Sequence, residues 1–309
     1  MNYTQHPKTG LKWGLKERIK HRDPRNLKRS NHFGAANLDS IPSDFDLAPD
    51  FEVLNQLDST FCTAFSNAVA SGIQEDKILS PEFGIQKTKL IQGGDPHSWG
   101  ANPYAGFKSQ VKYGGLERKD NPFPLEEKGG YFVEDPANWT AQIPNLDPKA
   151  FEHRKKSYME ADDFDNHFDS ALSTMWSSHQ ASKAYNETSK KRAILWGVMW
   201  QPSWTYAEGG VIPNDTSGFD KTLPHQVCLK GSKMINGKRY LIVQNSWGQL
   251  GDKGLYYVPR EVMNSKYTIY LESLEDIDPN VAKESWSIVA VLIDILNNLY
   301  RSFANLLRK

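Results

Sequence analysis

The segment Gln56-Leu-Asp-Ser-Thr-Phe-Cys62-Thr-Ala-Phe-Ser66 marks the start of a helix whose first turn carries a cysteine. Along this segment and beyond it, large apolar residues recur every four positions, at Phe61, Phe65, Val69 and Ile73. That spacing places them on one helical face. The small residues beside them favour a buried helix of about 14 residues, which is within the usual length range.

The position of Cys62 allows two interpretations of its thiol. At a helix N-terminus, the macrodipole and the backbone N–H groups favour the thiolate, which is the nucleophilic form. Ser59 and Thr60 are the candidate caps of this helix start. Alternatively, Cys62 is simply a small buried hydrophobe, as lone cysteines in apolar helices often are. The segment alone favours the second interpretation.

Two further polar residues flank a predicted hairpin. His225 begins one apolar strand, 225–230, and Asn245 follows the next strand, 239–244. Asn236-Gly237 between these strands is typical of a tight hairpin turn. Such a hairpin brings His225 and Asn245 side by side, and a cysteine with a distant histidine and asparagine can form a thiolate–imidazolium pair. Because the chain has eight histidines, the trio alone is a weak signal.

The residues around these three positions resemble a known family. Gln56 to Ser66 resembles the nucleophile segment of papain-like (C1-type) cysteine peptidases, in which a glutamine precedes the cysteine and Ala-Phe-Ser follows it. Asn245-Ser-Trp-Gly248 is similar to that family's Asn-Ser-Trp-Gly segment, and His225-Gln-Val is similar to its His-Ala-Val. Ile41-Pro42 resembles the start of its mature enzymes. The resemblance extends from residue 41 to about residue 275.

This resemblance implies both a fold and a set of roles. The fold is α+β with two lobes, a helical left lobe and an antiparallel β-barrel-like right lobe, and the active-site cleft lies between them. Cys62 is expected to attack the peptide carbonyl, His225 to exchange the proton, and Asn245 to orient the histidine. The Gln56 amide and the Cys62 backbone N–H are expected to stabilise the oxyanion. Trp247 is expected to shield the histidine–asparagine bond from water.

A second segment, Trp99-Gly100-Ala101-Asn102-Pro103, resembles the glycine pair that binds the substrate backbone in this family. Gly100, Ala101 and Trp247 are therefore predicted to contact substrate, although the segment also fits a plain turn before a helix. The chain departs from the family pattern here, because Ala101 stands in place of the second glycine. Thr63 also stands where the family usually has tryptophan.

Outside these motifs, the first half of the chain is predicted to be mainly helical and the second half mainly β, as in an α+β protein. Two more helices are predicted at 104–113 and 168–182, and two more strands at 193–200 and 255–258. Residues 120–165 are rich in proline, glycine and charge, which predicts loops. An acidic stretch, 272–284, predicts a linker over 276–284.

Composition narrows the functional class. The formal net charge is zero, so no nucleic-acid partner is expected. Only two cysteines, Cys62 and Cys228, are present, which excludes a disulfide framework. The N-terminus has no apolar signal-peptide core, so we expect the cytoplasm or another reducing compartment, with a virus-associated protein as one alternative. No cofactor and no metal are expected, because the acidic cluster at 162–169 lacks the glycine and terminal glutamate of a calcium loop.

Both ends of the chain lie outside the resemblance. Residues 1–40 form a basic arm with nine Lys/Arg against three Asp/Glu. Such an arm suits a solvated terminus, a nucleic-acid arm, a membrane-surface arm or a short pro-segment. Residues 285–309 have the apolar stripe of an amphipathic helix. Polar residues interrupt the segment, so its apolar run is too short to span a membrane. This helix could pack on the enzyme, self-associate, or bind a protein partner or a membrane surface.

Two function classes follow from the sequence. The first is a cysteine peptidase that hydrolyses peptide bonds in peptide or protein substrates through a Cys62 thiolate, a His225 imidazolium and an acyl-enzyme. The second is a catalytically silent papain-like module, which would act in binding or virion assembly and dock through its C-terminal helix.

Overall fold

The computed structural model describes residues 26–28, 38–57, 59–93, 100–121, 148–160, 166–214 and 222–276. Its helices are α1 (Cys62–Glu75), α2 (Pro81–Gln92), α3 (Pro103–Lys112), α4 (Pro148–Glu152), α5 (His167–Tyr185), α6 (Leu250–Lys253) and α7 (Arg260–Met263). Its strands are β1 (Asn26–Lys28), β2 (Phe45–Asp46), β3 (Lys155–Glu160), β4 (Ile194–Trp200), β5 (Leu223–Ile235), β6 (Lys238–Gln244), β7 (Leu255–Pro259) and β8 (Thr268–Asp276). Most of the basic arm, the predicted linker after Asp276 and the predicted C-terminal helix lie outside these residues.

One sheet joins all the described strands, in the order β1-β3-β8-β4-β5-β6-β7, with β2 paired to β5. All pairs are antiparallel except β1 with β3. β4, β5 and β6 form its centre, where Val198 lies opposite His225 and Cys228 lies opposite Gln244. The strand that carries His225 is therefore held on both sides.

The helical part packs around α1, which is buried along almost its whole length. Phe65, Val69 and Ile73 of α1 belong to the same core as the strands of the sheet. Phe107 of α3 extends this core, because its ring lies 5.5 Å from that of Tyr158 and 6.1 Å from that of Tyr270. The result is an α+β architecture with a helical and a mainly antiparallel part, as the sequence predicted.

Several predicted elements occur nearly where the sequence placed them. The helix at Cys62 spans 62–75, and the helices predicted at 104–113 and 168–182 span 103–112 and 167–185. The hairpin between β5 and β6 turns on Asn236 and Gly237, with φ of 49° and 76°. Both values are positive, as this kind of two-residue turn requires.

Other elements contradict the sequence-based prediction. The region predicted as loops, 120–165, contains α4 and β3, and β8 extends to Asp276, the first residue of the predicted linker. α2 was missed because it buries polar side chains such as Gln86 and Thr88 next to Phe83, which removes any clear apolar stripe. β3 was missed because its first residue, Lys155, is charged and yet fully buried.

Among the described residues, no helix combines the length and the apolar character needed to cross a bilayer.

Candidate active site

The candidate nucleophile begins α1 and is fully buried. Phe61 occupies the N-cap position, and no side chain caps the first turn. The prediction that Ser59 or Thr60 caps this helix is therefore wrong. Thr60 instead accepts a hydrogen bond from the backbone N–H of Gly100, at 3.0 Å, because it faces the neighbouring loop. The positive end of the helix macrodipole is thus left to act on Cys62 itself.

Gln56 lies beside the segment that carries Asn245. Its backbone N–H donates to the carbonyl oxygen of Ser246 at 2.8 Å, and the neighbouring Asn55 bridges to Trp247. The Gln56 side chain is fully buried and its Nε2 donates to the carbonyl oxygen of Ser59 at 2.8 Å. Its Oε1 accepts from Ser246 Oγ at 2.5 Å. These two contacts fix the amide orientation, and Ser246 is a site residue that the sequence analysis did not identify.

The end of β6 brings Asn245 to His225. His225 Nε2 lies 2.9 Å from Asn245 Oδ1, and both residues are buried. The same Oδ1 also accepts from the backbone N–H of Ser246 at 2.8 Å, which establishes it as the oxygen of the amide. His225 Nε2 must therefore carry a hydrogen, which leaves Nδ1 as the ring nitrogen that can take up a proton.

Two indole rings enclose this imidazole. Trp247 stacks on His225 with centroids 4.5 Å apart and an interplanar angle of 11°. Trp200, at the end of β4, meets the His225 ring edge-on at 5.7 Å and the Trp247 ring at 5.5 Å. Together they keep water from the hydrogen bond between His225 and Asn245. The sequence analysis predicted that Trp247 shields this hydrogen bond. It did not predict that role for Trp200, which it placed only at the end of an apolar strand.

Burial sets the protonation of His225 and Cys228 differently. Burial lowers the pKa of His225 to about 4, and the hydrogen bond that His225 donates to Asn245 opposes this effect. The imidazole would therefore be neutral at pH 7 unless a negative charge lies next to it. Burial raises the pKa of Cys228 to about 12, so this second thiol stays protonated. Neither cysteine is in a disulfide.

The structure places the predicted substrate-binding glycine against the protein itself. The Gly100 N–H donates to Thr60, and its carbonyl oxygen accepts from Lys89 Nζ at 2.5 Å. Ala101 is fully buried. Both backbone groups of Gly100 are thus engaged, and substrate binding by Gly100, Ala101 and Trp247 stays a prediction.

No group of three or more His, Cys, Asp or Glu side chains among the described residues is arranged to hold a metal ion. In the predicted acidic cluster, Asp169 pairs with Arg260 at 2.5 Å and also contacts Asn166. Asp162, Asp163 and Asp165 lie outside the described residues. Asp169 is therefore part of an ion pair between α5 and α7.

Known structures have the same fold. Xylellain, a cysteine protease from Xylella fastidiosa, superposes with a TM-score of 0.62 at 20% identity, over 90% of this chain and 100% of that one. Digestive procathepsin L 3 of Tenebrio molitor larval midgut superposes with a TM-score of 0.54 at 17% identity, over 82% of this chain and 76% of that one. A recombinant stem bromelain precursor superposes with a TM-score of 0.54 at 20% identity, over 85% of this chain and 76% of that one.

The sequence matches the family described as papain family cysteine protease over residues 52–273, which include all the predicted catalytic positions. No curated protein matches the chain by sequence. The matched region is well over half of the chain. The protein therefore belongs to the papain family of cysteine proteases and is a cysteine peptidase that acts on peptide or protein substrates.

Proposed function

We propose that Cys62 is the nucleophile of this peptidase and that His225, Asn245 and Gln56 support it. The observation that carries the proposal is the buried hydrogen bond of 2.9 Å between His225 Nε2 and Asn245 Oδ1. It assigns the hydrogen to Nε2 and leaves Nδ1 to exchange a proton with the thiol. A base held by a third group in this way is the arrangement that activates a nucleophile.

In the first half of the reaction, the Cys62 thiolate attacks the carbonyl carbon and forms a C–S bond. The negative charge moves to the carbonyl oxygen, where the Cys62 backbone N–H and the Gln56 amide donate hydrogen bonds. Collapse of this intermediate breaks the C–N bond, and His225 gives its proton to the leaving amine. The product is a thioester between Cys62 and the acyl half of the substrate.

In the second half, a water molecule attacks the thioester carbonyl. His225 takes one proton from that water as the C–O bond forms. The C–S bond then breaks, and the sulfur leaves as the thiolate beside the imidazolium. The carboxylic acid product departs, and the starting ion pair is restored.

The proposed pair has to overcome the effect of burial on His225. Because burial lowers its pKa to about 4, a cationic imidazole at neutral pH requires an adjacent anion. The Cys62 thiolate at the start of α1 would be that anion. The resulting ion pair would in turn favour the thiolate, which the helix N-terminus also favours.

The test compares cleavage of a fluorescently labelled unfolded protein by the wild type and three variants under reducing conditions. We expect Cys62→Ser and His225→Ala to lose at least roughly a thousandfold in kcat. Cys228→Ala, which changes the other buried thiol, is expected to retain activity. Cleavage by Cys62→Ser at the wild-type rate would refute the proposal. A folded wild type without cleavage would instead favour the silent binding module.

A further inference from the structure

Gln226, the residue after His225, is fully buried, and its side chain reaches from β5 to α1. Its Nε2 donates to Ser66 Oγ at 2.7 Å and to Asn67 Oδ1 at 3.1 Å. Both acceptors are buried residues of α1, the helix that begins with Cys62.

The bridge continues to the backbone of the nucleophile. Ser66 Oγ, which accepts from Gln226, donates to the carbonyl oxygen of Cys62 at 2.8 Å and to that of Thr63 at 3.2 Å. Two hydrogen bonds therefore connect the side chain of Gln226 with the peptide group of Cys62. Gln226 is also bonded through the chain to His225, so it spans the two halves of the catalytic pair.

A third contact fixes the orientation of the Gln226 amide. Tyr270 of β8 is fully buried and donates its hydroxyl to Gln226 Oε1 at 2.5 Å. The tyrosine reaches this position by lying over Gly197 of β4, where an added Cβ would come within 2.2 Å of the ring. The oxygen of the amide is thus occupied, and both hydrogens on Nε2 face α1.

Only a carboxamide of this length meets all three partners. It donates twice, to Ser66 and Asn67, and accepts once, from Tyr270. A shorter or apolar side chain would leave these buried polar groups without their partner. It would also remove the hydrogen bonds that Gln226 makes between β5 and α1.

We propose that Gln226 is a positioning residue that holds α1 against β5 and thereby sets the approach of Cys62 to His225. This inference rests on the proposed function, because it assumes that these two residues react with each other. A nucleophile and a base on separate elements are sensitive to small relative shifts, since a displacement of about 1 Å can lower a rate roughly a hundredfold. Gln226 acts through this spacing and is not proposed to touch substrate.

The test uses Gln226→Met, which keeps the length of the side chain and removes the amide. We expect kcat to fall by about 10- to 100-fold while KM changes less than about twofold, because the displaced pair reacts slowly with substrate that still binds. Ser66→Ala should lower kcat in the same way. The double variant should lose less than the product of the two single losses, because both remove one bridge. Cys228→Ala, buried on the same strand, is the matched control and should retain kcat.

If Gln226→Met does not fold, Tyr270→Phe and Gly197→Ala test the same proposal, because both disturb the hydrogen bond to the oxygen of the Gln226 amide. They too should lower kcat while leaving KM nearly unchanged. A variant that folds and keeps kcat within twofold of the wild type would overturn the proposal. So would fully multiplicative losses in the double variant. Inactivity of the folded wild type, or wild-type activity in Cys62→Ser, would refute the proposed function instead.

Discussion

At the residue scale, hydrogen bonds hold the buried side-chain amide of Gln56 in one orientation. One hydrogen of Nε2 donates to the Ser59 carbonyl, and Ser246 fixes the amide oxygen. The second hydrogen on Nε2 has no partner among the described residues, which suits the proposed donation of a hydrogen bond to the oxyanion. If Gln56 is the proposed oxyanion donor, these hydrogen bonds orient it before substrate arrives, so little reorganisation would be needed in the transition state.

Replacing Gln56 by alanine is expected to lower kcat by roughly 100- to 1000-fold, the range for loss of one oxyanion donor. Ser246→Ala keeps the donor and removes only its support, so it should lower kcat by a smaller factor. The measurement is steady-state kinetics with a peptide substrate. A loss below about threefold in Gln56→Ala would show that the amide does not contact the oxyanion.

Asn245 gives a prediction about pH. Its hydrogen bond raises the pKa of His225 against the opposing effect of burial. Asn245→Ala removes that bond, so the imidazolium should lose its proton at a lower pH than in the wild type. The basic limb of the profile of kcat/KM against pH should therefore move to lower pH. We also expect kcat to fall by about 10- to 150-fold, since hydrogen bonds to charged groups contribute about 1.5–3 kcal/mol.

Trp247→Phe is the control for this shift, because it keeps a ring on His225 and leaves the Asn245 oxygen in place. Its profile should move less than that of Asn245→Ala. An unchanged basic limb in Asn245→Ala would contradict the role given to this hydrogen bond.

At the element scale, α1 is fixed at both ends by polar groups. Its last residue, Glu75, accepts from the fully buried Lys155 of β3 at 2.5 Å and contacts His153 Nδ1 at 2.9 Å. Burial alone would raise the pKa of Glu75, but the hydrogen bonds from His153 and Lys155 outweigh it and lower the pKa to about 2. The charged pair thus joins the C-terminus of α1 to the first residue of β3.

Glu75→Gln would remove the carboxylate that accepts from the buried Lys155 and contacts His153. We expect the free energy of unfolding to fall by about 3–5 kcal/mol, measured by urea denaturation at pH 7. The exposed pair of Lys190 and Glu187 offers the control, and Glu187→Gln should change stability by less than about 1 kcal/mol. Equal effects of the two variants would contradict the structural role of the buried pair.

The same elements show what the sequence could predict. α1 was predictable because Phe65, Val69 and Ile73 repeat at helical spacing and pack on one core. β3 was not predictable, because its charged first residue, Lys155, is buried in an ion pair with Glu75, a residue far away in the chain. The position of Trp200 beside His225 was not predictable for a similar reason. Only the register of β4 against β5 brings its ring to His225.

At the scale of the whole molecule, the buried histidine couples stability to pH. In a Cys62→Ala variant no thiolate is present, and the pKa of His225 is about 4 in the folded state against 6.5 ordinarily. The unfolded chain then binds the proton first, so stability is lost as pH falls from about 6.5 to about 4. The difference amounts to about 3 kcal/mol of unfolding free energy.

Urea denaturation of Cys62→Ala at several pH values measures this loss. Cys62→Ala combined with His225→Gln is the control and should have a flatter dependence across this window. The contribution of Glu75 should remain in both proteins, because its pKa is about 2 and its stabilisation is lost only as pH falls from about 4.5. Identical curves for the two proteins would show that His225 is not buried as a neutral ring.

Covalent labelling tests the central claim, that Cys62 is the activated nucleophile, most directly. The folded protein is treated at pH 7 with an electrophilic epoxide that alkylates thiol peptidases, and the adduct is located by mass spectrometry. We predict one adduct, on Cys62, and none on Cys228, whose pKa burial raises to about 12. His225→Ala should label far more slowly. No adduct on Cys62, or equal labelling of both cysteines in the folded protein, would contradict the account.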